Sequence, residues 1–186
     1  MNLPDLLLPT YTQMLRALSA WLDTAGAGRD DGGDALLAAR LAPDMFPLAT
    51  QLRFACVQAY EGVARLRGDA LPEVVQVLLD EGRSAGDVPG TMAQAQARIA
   101  DTIAMVEAAA GAMPAVDPAR VIAHALPQGM IFDLSAEQYA RDWAIPQFYF
   151  HVMTAYAILR AEGAGLGKAD YVAHMFAYLR PDTMPG

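Results

Sequence analysis

His151 is the side chain that type and position best suit to chemistry in this 186-residue chain. It lies near the start of a strongly apolar stretch with helical spacing, residues 146–160. A neutral imidazole there either donates one ring proton in a core hydrogen bond or acts as a ligand in a site, and we favour the core hydrogen bond. We expect His124 to be partly exposed in a strand or loop. His174 lies between Tyr171 and Tyr178 on one face of a short helix, which is typical of ordinary packing.

Cys56 is the only cysteine, so the chain has no internal disulfide and no zinc site built on paired thiolates. Its neighbours at helical spacing, Leu52, Ala59 and Val63, are apolar and predict a buried, unreactive thiol. The sequence lacks the phosphate-binding GxxxxGK motif and the GxSxG nucleophile elbow, and no predicted strand precedes the glycines of residues 26–33. These observations disfavour P-loop and α/β-hydrolase enzymes.

The charge of the chain is acidic, with 13 Lys and Arg against 21 Asp and Glu, a net charge of −8 and a pI near 4.7. No basic cluster is dense enough to follow a phosphate backbone, so we expect no nucleic-acid partner. Residues 1–10 carry Asp5 and no Lys or Arg, unlike the start of a secretory signal. Pro146 and Gln147 interrupt the apolar stretch near His151. We therefore expect a cytoplasmic protein with no membrane partner.

Four long segments place apolar residues at steps of three and four, as amphipathic helices do. They are residues 8–22, ending near Gly26 and Gly28; residues 45–67, ending at Gly68; residues 92–109, ending near Gly111; and residues 146–162, opened by Pro146. Thr91 followed by Gln94 predicts a capping box at the start of the third helix. Because each apolar stripe must be buried against the others, the pattern predicts an all-α four-helix bundle forming a single domain, residues 1–186.

Shorter elements connect these helices, and their length predicts at least one crossover connection in the bundle. The predicted elements are a loop at 29–34, a short turn at 35–41, a helical turn at 71–79 with a loop at 82–90, a small β-hairpin of 120–126 and 130–134 around Pro127, Gln128 and Gly129, a short capped helix after Ser135 with Gln138, and a last helix at 170–180.

Three consecutive aromatic residues, Phe148, Tyr149 and Phe150, occur in the fourth helix. Successive helical residues are rotated by about 100°, so three in a row cannot all face one core. At least one must cover a second surface, which is formed by the later chain or by a second subunit. The alternative is a three-layer core within one chain.

Several segments resemble a bacterial domain family of unknown function, numbered nineteen ninety-three, and the match covers nearly the whole chain. The segments that carry the resemblance are residues 11–22, residues 41–48 (LAPDMFPL), residues 96–99 (QARI), residues 146–160 and residues 167–171 (GKADY). This family is similar to a branch of the DinB/YfiT-like superfamily of metalloenzymes. The resemblance implies the DinB/YfiT-like four-helix bundle, with short extra helices, and a homodimer.

The same resemblance raises the question of a metal. Superfamily members that hold a metal use three histidines, one on the second helix and two a helical turn apart on a later helix. In this sequence the residue one turn after His151 is Ala155, and residues 45–67 contain no histidine. A divalent metal at His151 would need other donors, and Glu61 and Asp44 are the carboxylates we consider.

Two functional hypotheses follow from these observations. In the first, the bundle interior near His151 binds a small molecule or keeps a vestigial metal site, with four further polar side chains as candidates: Tyr11, Arg53, Gln58 and Tyr156. Its catalytic version, by analogy with the superfamily, is a metal-dependent transferase or isomerase. In the second, the protein is a noncatalytic structural homodimer whose polar residues only specify packing.

Overall fold

Four long helices form the bundle in the computed structural model of the protein, which describes residues 2–126, 129–181 and 183. The helices are α1 (Leu3–Gly26), α2 (Leu48–Arg67), α3 (Glu73–Ser84), α4 (Met92–Ala110), α5 (Ala136–Gln138), α6 (Ile145–Ala161) and α7 (Lys168–Tyr171), and the strands are β1 (Val121–Ala125) and β2 (Ile131–Ser135). Short 3₁₀ helices cover Asp34–Ala38 and Ala173–Tyr178. The predicted four-helix bundle with a small hairpin is confirmed.

The bundle helices follow one another around the core in the order α1, α4, α2, α6. Helices α1 and α6 run parallel, because Tyr11 meets Phe148 at 4.7 Å between ring centroids and, further along both helices, Trp21 meets Tyr156 at 5.1 Å. The rings of Tyr11, Trp21 and Phe148 are fully buried and anchor the core. These large side chains bury the most apolar area, so they dominate the packing energy.

Helices α2 and α4 also run parallel, which requires a crossover between them. Near its start α2 meets Gly90, which precedes α4, and one turn later the thiol of Cys56 lies 3.7 Å from the carbonyl oxygen of Arg98. Helix α3 runs antiparallel to α2 and brings the chain back to the start of α2. There the hydroxyl of Thr50 donates to the carbonyl of Gly82 at 2.7 Å. The predicted crossover is therefore a helix in its own right.

Two helix boundaries differ from the prediction. Helix α2 begins at Leu48 rather than near Met45, because Pro47 is its N-cap and a residue before proline disfavours helical angles. The segment expected to be a helical turn and a loop is α3, which buries Val75 and Leu78. Gly82 was interpreted as a helix breaker, but here it lets α3 approach α2, since a Cβ at this position would lie 2.4 Å from the ring of Phe54.

The hairpin pairs β1 and β2 in antiparallel register, with Val121 opposite Ser135 and His124 opposite Phe132. It follows α4 and covers the end of α2, where the guanidinium of Arg120 donates to the carbonyl oxygens of Arg65 and Leu66. Pro127 and Gln128 of the predicted turn lie outside the described residues. The hairpin is confirmed, although its strands are short.

A continuous helical segment leads into α6, and it begins at Ala136, ten residues before Pro146. Ser135 and Gln138 form the predicted capping box, but the helix they open continues through a π-helical turn, Tyr139–Ala144, into α6. Within that turn Ile145 N–H donates to the carbonyl of Ala140, five residues back. Proline has no N–H and its ring collides with the carbonyl four residues earlier, and the wider turn accommodates it. Pro146 thus lies at the start of α6, as predicted, but α6 continues directly from the π-helical turn.

The segment after α6 folds back on α1. The indole of Trp21 donates to the carbonyl of Asp170 at 3.3 Å, and its ring stacks on Tyr171 with centroids 6.2 Å apart. The predicted last helix at 170–180 is two shorter pieces, α7 and a 3₁₀ helix, because Val172 leaves the helical region between them.

Gly62 provides the first testable prediction. Its ideal Cβ would lie 2.2 Å from the hydroxyl of Tyr11, which is fully buried against Phe148 and has no room to withdraw. We expect Gly62→Ala to lower the free energy of unfolding by about 1–3 kcal/mol, although alanine normally stabilises helices. Urea denaturation measures the change. Gly86→Ala, where a Cβ meets nothing within 4 Å, is the control, and equal effects of the two substitutions would contradict the prediction.

Candidate functional site

The five polar residues predicted to share one pocket lie in four separate environments. His151 lies on the seam between α2 and α6, and Tyr156 lies further along α6 against Trp21. Tyr11 and Gln58 point into the bundle interior, each with a buried oxygen that has no hydrogen-bond partner among the described residues. Arg53 lies on the opposite side of α2, in the groove that α3 and α4 border. The structure does not bring these five residues together beside His151.

His151 makes the core hydrogen bond that the sequence favoured. Its Nδ1 lies 2.9 Å from Oε1 of Gln51, so Nδ1 carries the proton and donates, while the Gln51 amide donates to the carbonyl of Phe46. The rings of Phe54 and Phe150 meet the imidazole edge-on, with centroids 5.4 Å and 5.3 Å away. Burial lowers the pKa of His151 to about 4, so the ring is neutral at physiological pH.

The residues around His151 do not fit the three-histidine metal site of the superfamily. Ala155 occupies the next turn of α6, and α2 presents the amide of Gln51 to His151 where a second imidazole would be needed. Glu61, one proposed carboxylate donor, is ten residues beyond Gln51 on α2, or about 15 Å along the axis. Within residues 2–126, 129–181 and 183, no three His, Cys, Asp or Glu side chains are grouped to hold a metal ion.

A closed polar cluster lies at the other end of the α2–α6 seam. The hydroxyls of Tyr11 and Tyr139 are buried near Glu61, and burial raises the pKa of that carboxyl, opposed in part by the charge of Arg65. His124 is only 3% exposed, with ring centroids 4.3 Å from Trp143 and 5.6 Å from Tyr139. The expectation of a partly exposed His124 is wrong, because the hairpin folds its inward face against the π-helical turn.

Cys56 lies in the core as predicted. Its side chain is fully buried, and burial raises the pKa of the thiol to about 11, opposed in part by a hydrogen bond with Thr102. A thiol with this pKa is almost entirely protonated at neutral pH and is a poor nucleophile. Catalysis by Cys56 therefore has no support in the geometry.

The groove beside Arg53 is a pocket of about 340 Å³ between α2, α3 and α4. Arg53 is only 4% exposed, yet within the described part of the chain its guanidinium makes a single hydrogen bond, from Nη1 to the carbonyl of Ala49 at 3.3 Å. Nε lies 3.5 Å from a carboxylate oxygen of Glu81, too poorly aligned to count as a hydrogen bond. The remaining lining residues are mostly polar, charged or small, with Val88 as the larger apolar one: Ser84, Val88, Gly90, Gln94, Ala97, Arg98 and Asp101.

Two glycines shape this pocket. The close contact of Gly82 with Phe54 brings Glu81, its neighbour on α3, to the guanidinium of Arg53. Gly90 has a φ of 78°, in the left-handed region that glycine favours, and its ideal Cβ would lie 2.9 Å from Nη2 of Arg53. Gln94, which caps α4 by accepting from the N–H of Thr91, borders the same point. The absence of a side chain at Gly90 thus lets the rim of the pocket come close to the guanidinium of Arg53.

Glu81 is shared between two arginines. Arg98 binds both of its carboxylate oxygens, which raises the pKa of Arg98, with a smaller contribution from the charge of Asp101. The sequence indicated Arg53 as a polar candidate but missed Glu81, Arg98 and Asp101. The signal that was available is the apolar stripe of Val75 and Leu78, which continues to Gly82 and marks α3 as a helix.

The hydrogen bond of His151 predicts a pH dependence of stability. Its pKa is about 4 in the folded chain against an ordinary value of 6.5, so between these values the unfolded chain binds a proton that the folded chain does not. The contribution of neutral His151 is complete above pH 6.5 and is lost as the pH falls towards 4. In His151→Asn the amide keeps a donor near Gln51. We expect wild type to lose up to about 3 kcal/mol relative to this variant between pH 7 and 4. Urea titrations at each pH measure the free energy of unfolding of both proteins. If the two free energies change with pH in parallel, the prediction is wrong.

Comparisons with known proteins agree with this fold. A DinB family member protein from Shewanella denitrificans, known from its crystal structure, is similar at 32% sequence identity and a TM-score of 0.69, and the alignment covers 98% of this chain and 96% of that chain. Curated proteins gave no match. No helix in the described part of the chain is long and apolar enough to cross a membrane.

The sequence also matches the family described as "Domain of unknown function (DUF1993)" over residues 3–172. That match spans all four bundle helices, the hairpin and the pocket beside Arg53. The chain therefore belongs to the DUF1993 family and has a DinB-like fold.

Proposed function

We propose that the protein binds a small molecule through a carboxylate group, in the pocket beside Arg53. The observation that carries this proposal is a guanidinium that is almost fully buried, lines the pocket and has an Nη2 without a hydrogen-bond partner among the described residues. Removing a charged group from water costs several kcal/mol unless partners replace the lost hydration. The single bond to Ala49 and the distant contact with Glu81 compensate only part of that cost.

The size and shape of the pocket suit a small ligand. A volume of about 340 Å³ is at the lower end of the range of small-molecule sites. Arginine presents its N–H groups in a planar fork that matches the two oxygens of a carboxylate. Because Glu81 and Asp101 also line the pocket, a doubly charged phosphate would be repelled more strongly than a singly charged carboxylate. A monoanionic acid is therefore the class we favour.

Replacing Arg53 tests the proposal. Titration calorimetry with hexanoate as the probe should show saturable binding to wild type, and Arg53→Gln should weaken it about 10-fold or more, the worth of a charge-assisted hydrogen bond. Arg16→Gln removes the same charge from an exposed pair with Glu107 and should leave binding unchanged. Circular dichroism of each variant establishes that it folds. Equal hexanoate affinity of Arg53→Gln and wild type, or no binding to wild type, would refute the proposal.

We also propose a homodimer formed through an aromatic surface at one end of the α2–α6 seam. This aromatic surface consists of Phe46, Phe54 and Phe150 around His151, whose rings are joined by contacts of 5.3–5.9 Å between centroids. Phe148 is buried and Tyr149 half-buried, whereas Phe150 is 59% exposed and Phe46 is 53% exposed. Of the three consecutive aromatic residues, Phe150 is therefore the one that faces outward, where a second subunit would cover it. Connected exposed aromatic side chains of this kind are typical of protein interfaces.

The dimer proposal is tested by Phe150→Ser. We expect wild type to sediment as a dimer at micromolar concentration and the variant to shift to monomer, because the substitution removes a large apolar side chain from the interface. Phe176→Ser is the matched control, since Phe176 is comparably exposed but lies on the C-terminal 3₁₀ helix. A monomeric wild type, or a variant that remains dimeric, would contradict the aromatic surface as the interface.

The other functional hypotheses stay predictions. A metal-dependent transferase or isomerase would need donors beyond His151, and the described residues do not group three of the usual kind around it. A cytoplasmic location also stays a prediction. The small-molecule hypothesis is the one with a formed pocket in the structure, although that pocket lies beside Arg53 and not beside His151.

A further inference from the structure

We infer that the ligand of the Arg53 pocket is a zwitterion, with an ammonium group several bonds away from its carboxylate. This inference rests on the proposed function, since it assumes that Arg53 receives the carboxylate. It concerns the opposite end of the same pocket, where Asp101 of α4 lines the wall.

Glu81 pairs closely with Arg98 and loosely with Arg53, so Arg53 and Asp101 are the two charged groups of the pocket that could still bind a ligand. Glu81 and Arg98 bind each other through two contacts, which uses both carboxylate oxygens. Arg53 keeps Nη2 free of protein hydrogen bonds, and Asp101 forms no ion pair with any residue in the described ranges, although the charge of Arg98 lies near it. A ligand that carried both a carboxylate and an ammonium group would complement both ends.

The spacing along α4 sets the length of such a ligand. Nη2 of Arg53 lies beside Gly90 and the side chain of Gln94. Asp101 is seven residues beyond Gln94, which corresponds to about 10 Å along a helix axis. The ammonium and carboxylate groups of an α-amino acid are too close together to reach both ends. An ω-amino acid or a short peptide has the required separation.

Apolar surface in the pocket is suited to a methylene chain. Ala97 lies on α4 between Gln94 and Asp101, and Val88, which is 68% exposed, also lines the pocket. A chain of methylene groups would cover this surface and gain free energy from its burial, roughly 0.8 kcal/mol for each group fully buried. Charged ends with an apolar middle are the features that distinguish an ω-amino acid from a simple acid or a simple amine.

Three probes and two variants test this inference by titration calorimetry. Hexanoate has the carboxylate alone, 6-aminohexanoate adds the distant ammonium group, and glycine carries both charges close together. We expect wild type to bind 6-aminohexanoate about 2-fold to 5-fold tighter than hexanoate and glycine weakest of all, the size of one ion pair at an exposed site. Asp101→Asn should remove the preference for 6-aminohexanoate while binding hexanoate no more weakly than wild type does.

The control is Asp133→Asn, which makes the same change of charge at an exposed position on the hairpin and should keep the preference. Equal affinities of wild type for hexanoate and 6-aminohexanoate would overturn the zwitterion and leave the carboxylate site intact. A preference that persists in Asp101→Asn would also overturn it. If wild type binds neither of the two longer probes, the proposed function itself fails.

Discussion

The hydrogen bond from Thr50 to the carbonyl of Gly82 holds α3 against α2, and the external groove of the bundle depends on it. Because α3 returns along α2 before α4 begins, α2 and α4 run parallel and leave a groove on their outer side. Gly82 makes the approach close enough for Glu81 to reach both Arg53 and Arg98. The crossover is thus more than a connection, since it supplies one wall of the pocket and the carboxylate that holds its two cations.

The buried polar groups of this bundle lie in two different settings, one between packed helices and one beside an open pocket. On the α2–α6 seam, His151 and Gln51 satisfy each other, and the buried hydroxyls of Tyr11 and Tyr139 lie near Glu61. In the α2–α3–α4 groove, the buried cation Arg53 has space next to it. Low dielectric strengthens the interactions of a buried charge and makes its unused donors costly. The groove is therefore the place where a ligand would gain most from binding.

Sequence reasoning recovered the long helices well, because each buries an apolar stripe whose period is visible locally. It failed where a single residue had two interpretations, as with Gly82, which breaks isolated helices but here serves helix packing. It also failed for contacts between distant residues. His151 and Gln51 are separated by one hundred residues, and the partners of Arg53 come from α3 and α4. Residue type indicated that Arg53 and His151 were candidates, but only the arrangement of helices determined which of them faces a pocket.

The π-helical turn before Pro146 sets the rotational phase of α6. A π turn contains one more residue than the α-helical path it replaces, so every side chain after it is displaced by about 100° around the axis. This displacement is relative to an α-helix of the same sequence, so loss of one residue within the turn would restore α-helical winding and leave His151 facing Gln51. Loss of one residue between the turn and His151 would instead rotate the imidazole away from Gln51 by about 100°. Natural members of the family that are one residue shorter at this turn would therefore present the same face of their last bundle helix, because an α turn would replace the π turn.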